Sequence, residues 1–418
     1  MNGSTKLIIN PTKRLSGEIE LSGSKISAIV GLIISLMIEE KLVITNFPKN
    51  LLDVRICLKM IKSLGKKIDF NQNNELTISQ DSILNNKVDY NESSIRYTPL
   101  ILASLLINNQ SAKVPFPGGC KIGNRKIDVY EYIFKKFGVS IYFDQGYIIA
   151  ERREKRKVEK LKLQKISTGG TFCALIMCSA TKGETLIENA HIKPEVIDII
   201  NLLNKIGAKI KYDKNTILVQ GSEYLIGTEH RLINDIVEAF TYTIIGATNG
   251  KKLKISNFPF NSLKTEINLL RNTGAKLIVD GKDLIVSRDK IFGFSLETGP
   301  YPKIQSDIQP LFASYALFAN ENTKILDNRF RNRYQYIKEL SKIGASINKR
   351  KNYIIIKGSK KIVGANVKAL DIRCGASLIN AGLCATGTTT ISNAYQIKRG
   401  YENIDIKLNA IGGDLNFI

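Results

Sequence analysis

One loop gathers the residue types that acid–base and anion chemistry call for: Pro115-Phe116-Pro117-Gly118-Gly119-Cys120-Lys121-Ile122-Gly123-Asn124-Arg125. Glycines let the backbone close on a ligand, and backbone amides can cradle an anion. Lys121 and Arg125 flank a single thiol, and neighbouring cations favour its thiolate form. The composition suits a reactive cysteine, although a flexible basic loop with an incidental thiol reads the same way. A second feature is Lys25, which closes the run Leu21-Ser22-Gly23-Ser24-Lys25 at the expected start of a helix. There the helix dipole would add to anion binding. Asp307 stands before the apolar run Ile308–Ala319 and reads as a helix N-cap.

Residues so far apart in sequence must be positioned by a repeated framework, and the chain carries one. The phrase apolar–Gly–X–X–apolar follows an amphipathic segment at Gly65, Gly138, Gly207, Gly274, Gly344 and Gly412, with spacings of 73, 69, 67, 70 and 68 residues. Upstream of each glycine lies a helical pattern, as in Val196, Ile199, Ile200, Leu203 and Ile206. The glycine suits the left-handed position that ends a helix. A hairpin is then expected, for example Lys209–Tyr212, a polar turn at Asp213–Asn215, and Thr216–Gln220. Five copies also carry a strand ending in asparagine, at Asn46, Asn189, Asn257, Asn328 and Asn393. Earlier still comes another apolar helix, such as Thr171–Ser179 or Gln309–Ala319. Units of about 70 residues cannot bury their apolar faces alone and must pack against siblings. Six of them predict an α/β protein of two domains with three units each.

Composition narrows the function classes. With 43% hydrophobic and 24% charged residues in 418, the chain has enough apolar material for more than one core and too much for disorder. The longest apolar stretch, Ile26–Ile38, is shorter than the roughly 20 residues that span a bilayer. The first ten residues lack the apolar centre of a signal peptide, so the expectation is a cytoplasmic protein with no membrane partner. Six cysteines without a CxxC pair and only two histidines, His191 and His230, offer little for zinc. The cysteines read as free thiols, mostly buried. No metal or organic cofactor is expected. The net charge of +23 is spread along the chain, densest at Arg152–Lys162, and reads as lysine-rich bias rather than a nucleic-acid surface.

The loop, the six-fold repeat and several motifs together resemble the UDP-N-acetylglucosamine enolpyruvyl transferase family. The resemblance runs from about Leu15 to the C-terminus. Its most specific part is Pro-Gly-Gly-Cys-X-Ile-Gly-X-Arg, ending at Arg125. Lys165-Ile166-Ser167-Thr168-Gly169, Ser306-Asp307, Asp327-Asn328-Arg329-Phe330, Asp371-Ile372-Arg373 and Arg399-Gly400-Tyr401-Glu402 add to it. Shikimate-phosphate enolpyruvyl transferases share the six-unit fold but lack the cysteine loop.

The resemblance implies a two-domain inside-out α/β barrel of six βαβαββ units. Residues 22–228 would form the first domain, with a mobile loop at 115–125, and residues 1–21 plus 229–418 the second. The active site would lie in the cleft between them. The implied substrates are phosphoenolpyruvate and a uridine nucleotide, joined by addition–elimination. Cys120 matches the family's loop acid and Asp307 the carboxylate that deprotonates the acceptor hydroxyl, a role compatible with capping. Lys25, Arg125 and Arg399 match the cations that hold phosphoenolpyruvate. Asp128, Lys165, Ser167 and Gly169 match the nucleotide end. Arg96, Arg329, Asp371 and Arg373 match positions for closure and orientation, and Arg373 reads equally as a structural ion-pair partner.

The departures concentrate on the acceptor. Ile26 stands where the family has an asparagine that contacts the sugar, and Leu100 where it has tryptophan. Lys126 replaces a proline, Ile236 an arginine and Lys398 an acid. Three readings therefore stay open: transfer to UDP-N-acetylglucosamine in cell-wall synthesis, transfer to another uridine nucleotide such as UMP, as in nucleoside antibiotic pathways, or a non-catalytic binding paralogue. Oligomeric state is not legible in the sequence.

Overall fold

A computed structural model describes residues 5–72, 75–90, 95–118, 127–154, 156–330, 333–358 and 361–418. All six recurring glycines have positive φ, from +74° at Gly138 to +119° at Gly207. Each lies within three residues of the end of a helix: Leu52–Ser63, Asp128–Lys136, Pro194–Lys205, Lys264–Asn272, Tyr336–Lys342 and Ile404–Asn409. A left-handed residue there turns the chain out of the helix at little steric cost only because it has no Cβ. The hairpin read from the sequence follows: Lys209–Asp213 pairs antiparallel with Thr216–Gly221, each one residue longer than the pattern indicates.

The strands form six sheets among the described residues. Five share one plan, shown by Lys160–Lys162 parallel to Gly183–Glu188, which pairs antiparallel with Thr216–Gly221 of the hairpin. The sixth has three strands, Ser111–Pro115, Tyr147–Arg152 and Val139–Asp144, and a lone parallel bridge from Lys87 to Lys113 stands where the others have an edge strand. The last copy borrows from the chain start, because Leu7–Ile9 lies between Thr389–Ser392 and Leu415–Phe417.

The recurring asparagines have a physical role. Asn46, Asn189, Asn257 and Asn393 all adopt left-handed φ between +49° and +59°, which asparagine tolerates better than most residues. The amides of Asn46, Asn189 and Asn393 donate to the carbonyls of Leu232, Leu163 and Ala369, at 3.0, 2.8 and 2.6 Å. Each of those carbonyls follows the parallel edge strand of its sheet. One side chain thus ends a strand and pins its neighbour. Asn328 differs: it is absent from the left-handed set, and its amide reaches Glu297 and the Thr298 carbonyl.

The chain divides into two units. One holds the described residues up to Ser22 with Asn234–Ile418, the other those of Gly23–Ile233. In the first, the helices Ile236–Asn249, Gln309–Ala316 and Ile372–Leu383 are buried along their whole length. A polar chain ties them: Thr248 donates to Asn380 at 2.6 Å, and Asn380 to Ser314 at 3.0 Å. Satisfied hydrogen bonds in a low-dielectric core fix which faces meet, whereas leaving one such group unpaired costs about 1–3 kcal/mol. In the second unit, Lys25–Ile34, Thr98–Asn108 and Thr168–Ser179 supply much of the core. Among the described residues no helix is long and apolar enough to cross a membrane.

Candidate active site

In the Gly23–Ile233 unit, four of the expected residues form one cluster. Asp128 opens the helix Asp128–Lys136, and Lys165 Nζ reaches both of its carboxylate oxygens, at 3.0 and 2.7 Å. Both groups are about half exposed, so the pair is open to solvent and to ligand. Ser167 caps the helix Thr168–Ser179 by accepting from the Gly170 amide at 3.2 Å. That helix begins three residues earlier than its apolar pattern indicates, because Thr168, Gly169 and Gly170 are themselves helical. Gly169 faces Tyr130, and a Cβ there would stand 2.1 Å from the tyrosine hydroxyl. A side chain at this position would force the Tyr130 ring or the helix start to shift. Together they present two helix starts, a lysine and a carboxylate, a set suited to a polar, anionic ligand.

Lys25 is the first residue of the helix Lys25–Ile34, whose cap is Ser24, accepting from the Ser27 amide at 3.3 Å. A cation at a helix start opposes the macrodipole. Asp53, in the first turn of Leu52–Ser63, offsets it with a carboxylate oxygen 3.4 Å from Lys25 Nζ. Arg96 lies half-buried in the turn before Thr98–Asn108.

The other unit gathers Asp307, Asp371, Arg373 and Tyr401. Asp307 does not cap a helix. The helix is Gln309–Ala316, starting as expected and ending three residues early, with Ile308 at the cap position and no side-chain capping bond. The Asp307 carboxylate instead takes Arg333 Nη2 at 2.6 Å. Arg333 also donates to Ser306 Oγ at 3.2 Å, and Ser306 donates to Asp327 at 2.5 Å. Asp327 in turn accepts from the backbone of Arg329 and Phe330, so one buried carboxylate shapes the whole turn. Arg329 itself is exposed, its guanidinium 5.7 Å from the Phe330 ring centre.

Asp371 caps Ile372–Leu383, its Oδ1 accepting from the Arg373 and Cys374 amides at 2.8 Å each. Arg373 is buried and donates to the Tyr401 hydroxyl at 3.0 Å, which also lies 2.9 Å from Thr241 Oγ1. Burial works against the arginine's charge, but Tyr401, Asp307 and Asp235 outweigh it and hold its pKa above the ordinary value. Burial raises the Tyr401 pKa, with Arg373 opposing, so the ring stays a neutral donor or acceptor. Arg399 follows the short helix Tyr395–Lys398 and donates to Gln396 Oε1 at 2.9 Å.

Asp128, Lys165, Ser167 and Gly169 are thus brought together, as are Asp307, Asp371 and Arg373 around the field of Arg373. Arg399 and Tyr401 are joined to the second group through Gly400, where a Cβ would lie 2.3 Å from Ile372 Cγ2. Cys120 and Arg125 lie outside the described residues. Sequence reading missed Arg333, Asp53 and Tyr130. The only signal for Arg333 was the alternation of arginine at 329, 331 and 333; Tyr130 had none beyond its place two residues after Asp128.

Residues 9–408 match the family described as EPSP synthase (3-phosphoshikimate 1-carboxyvinyltransferase). Among curated proteins, a UDP-N-acetylglucosamine 1-carboxyvinyltransferase from Wolbachia pipientis wMel is 34% identical over 419 residues, covering 98% of each chain. One of the same description from Buchnera aphidicola subsp. Schizaphis graminum is 35% identical, covering 99% of this chain and all of the relative. Among solved structures, the enolpyruvyl transferase NikO from Streptomyces tendae superposes with a TM-score of 0.89 at 20% identity, covering 99% of both chains. An EPSP synthase from Acinetobacter baumannii gives 0.77 at 18% identity over 99% of this chain. These two establish likeness of fold.

Proposed function

Since the chain belongs to the EPSP synthase family, we propose that it transfers the enolpyruvyl group of phosphoenolpyruvate to a hydroxyl of UDP-N-acetylglucosamine. One observation carries this reading: relatives described as UDP-N-acetylglucosamine 1-carboxyvinyltransferases are about a third identical to it from end to end. The acceptor oxygen adds to C2 of phosphoenolpyruvate while C3 gains a proton. The adduct then loses inorganic phosphate and a C3 proton, leaving an enol ether.

Such a reaction needs an acid, a base and fixed cations. In this reading Cys120 protonates C3 and Asp307 takes the hydroxyl proton. Lys25, Arg125 and Arg399 hold phosphate and carboxylate, and Asp128, Lys165, Ser167 and Gly169 receive the nucleotide. Arg96 and Arg329 act as closing cations, and Asp371 orients Arg373 by capping its helix. Arg333 joins them as the positioning residue for Asp307. The substrates are small molecules, and the reaction is assigned to the cytoplasm.

A second reading concerns the acceptor. Ile26 packs half-buried against the apolar core of its unit, and Leu100 is fully buried. Neither side chain offers a hydrogen bond where the resemblance expects polar or indole contact, which favours an acceptor other than the acetylated sugar. Phosphate release from phosphoenolpyruvate with UDP-N-acetylglucosamine, UDP or UMP decides. Turnover with the UDP-sugar is expected; turnover with UMP alone establishes the second reading, and none with any acceptor removes both.

A further inference from the structure

Three helices of the Gly23–Ile233 unit share a polarity. Thr98–Asn108 starts beside Arg96, Asp128–Lys136 starts at Asp128, and Thr168–Ser179 starts at the Ser167 cap. Their far ends converge, since Ile107, Phe137 and Met177 line one cavity of about 200 Å³. Met177 stands nine residues along the helix from Thr168, which sets the floor about 14 Å from its start. It is therefore a different place from the Lys165–Asp128 cluster.

The walls are basic. Arg152, Arg156, Lys157 and Lys182 line the cavity against one carboxylate, Glu223. Three of them belong to the dense cationic run that the proposed reaction leaves unused. Lysines and arginines on a surface are usually only solvated, and three helix ends add partial negative charge here. Arg152 has a structural task as well, because it donates to the Leu106 carbonyl. Arg156 pairs with Glu154, and Lys157 with Glu159 at 3.4 Å. Two positions nevertheless show that the cations are built in. A Cβ on Gly183 would stand 2.7 Å from Lys157 Cε, and one on Gly138 would stand 3.3 Å from Arg156 Cγ. Both stems lie flat over glycines, which sets where their charged ends emerge. Burial holds the Arg152 pKa below the ordinary value.

Even with Glu154 and Glu159 counted beside Glu223, the four cations outnumber the carboxylates, which suits an anion, and a floor of Phe137 and Met177, each 3% exposed, suits an apolar body. The volume lies below the roughly 300–1,000 Å³ of drug-sized ligand pockets, too small for a second nucleotide sugar. We propose that this cavity is a second ligand site, which takes a small organic phosphomonoester with its apolar or aromatic body on Phe137 and Met177 and its phosphate among Arg156, Lys157 and Lys182.

The chain has no tryptophan, so Glu223→Trp places a sole indole emitter at the cavity. Phenyl phosphate should change its emission saturably. Adding Arg156→Ser and Lys182→Ser should weaken that binding at least tenfold, while Lys165→Ser should leave it unchanged. Phosphate release by the Glu223→Trp chain should match the unaltered protein, and this arm reports on the proposed reaction separately. Should Glu223→Trp not fold, ³¹P line broadening of phenyl phosphate by the unaltered chain and by Arg156→Ser/Lys182→Ser gives the same comparison. The proposal is overturned if no saturable response is seen, or if the charge-removed chain binds equally well. It is overturned too if inorganic phosphate binds as tightly as phenyl phosphate, since the apolar floor would then contribute nothing.

Discussion

Arg333 Nη2 stands 2.6 Å from Asp307 Oδ1, and the two side chains live in opposite surroundings: the guanidinium is 1% exposed, the carboxylate 46%. A buried cation thus aims a carboxylate that water and substrate can reach. The pair fixes where the proposed base points. Asp307→Asn should therefore lower kcat for phosphate release by about 10²–10⁴-fold, the usual worth of a general base. Asparagine can still accept from the Arg333 guanidinium, so folding should survive, although stability should fall because the buried cation loses its counter-charge. Arg333→Ala should lower kcat by about 10²-fold through misplacement. It should also cost about 1–3 kcal/mol of stability through lost packing and the lost bond to Ser306, since the carboxylate left behind is half exposed. Wild-type turnover in Asp307→Asn would remove Asp307 from the mechanism.

Gly169 and Tyr130 offer a test of the nucleotide cluster. An alanine Cβ at position 169 would meet the Tyr130 hydroxyl at 2.1 Å and its Cζ at 3.0 Å. Gly169→Ala should destabilise the unit by about 1–3 kcal/mol, the range for an overpacked site, and weaken nucleotide binding as the two helix starts part. Tyr130→Phe deletes only the closer clash, so the double variant should recover part of both losses. The measurement is a double-mutant cycle on denaturant midpoints and nucleotide Kd. Strict additivity would mean that the two helix starts do not press on each other here.

Much of the framework was legible because it repeats. A single glycine is ambiguous, but six at matched spacing each demanded one backbone conformation, and each has it. The recurring asparagines were visible as a pattern, but not their bond to the neighbouring edge strand, which depends on residues 24 to 186 positions away. Asp307 shows the limit more sharply. A carboxylate before an apolar run is a sound cap on local grounds, yet a buried arginine 26 residues later outcompetes the helix amides. The caps at Ser167 and Asp371 are local, with partners two or three residues away, yet these residues stood out only through the resemblance. Tyr130 could not be read, since it meets Gly169 across two helices.

Cysteine chemistry should be confined to one thiol. Burial pushes Cys57, Cys173 and Cys374 above the ordinary thiol value, Cys178 to about 12 and Cys384 to about 11. Thiols so held are poor nucleophiles at neutral pH. Cys120, between Gly119 and Lys121, is the remaining cysteine and the proposed acid. An epoxide phosphonate, with saturating nucleotide present, should add one equivalent to the Cys120 peptide and none elsewhere. Cys120→Ala should abolish the adduct and lower turnover by about 10²–10⁴-fold. Peptide mass analysis reads the first outcome; an adduct on any other cysteine contradicts the assignment.

Glu266 sets a pH dependence that lies apart from the proposed chemistry. It sits in the first turn of Lys264–Asn272, 3% exposed, and burial pushes its carboxyl up to about 7, partly offset by a backbone hydrogen bond. In the unfolded chain the same group titrates near the ordinary carboxyl value of 4.5. The folded state therefore binds more protons between those values, and stability must fall as pH rises through the window. The contribution is fully present below about 4.5 and lost above about 7. A shift of this size corresponds to roughly 3 kcal/mol in total. Glu266→Gln keeps the shape and removes the titration, so it should gain on the unaltered chain by about 2 kcal/mol between pH 5 and pH 8. Urea unfolding of both chains at the two pH values measures that difference. An equal gap at pH 5 and pH 8 would show that Glu266 ionises in the folded protein as it does in water.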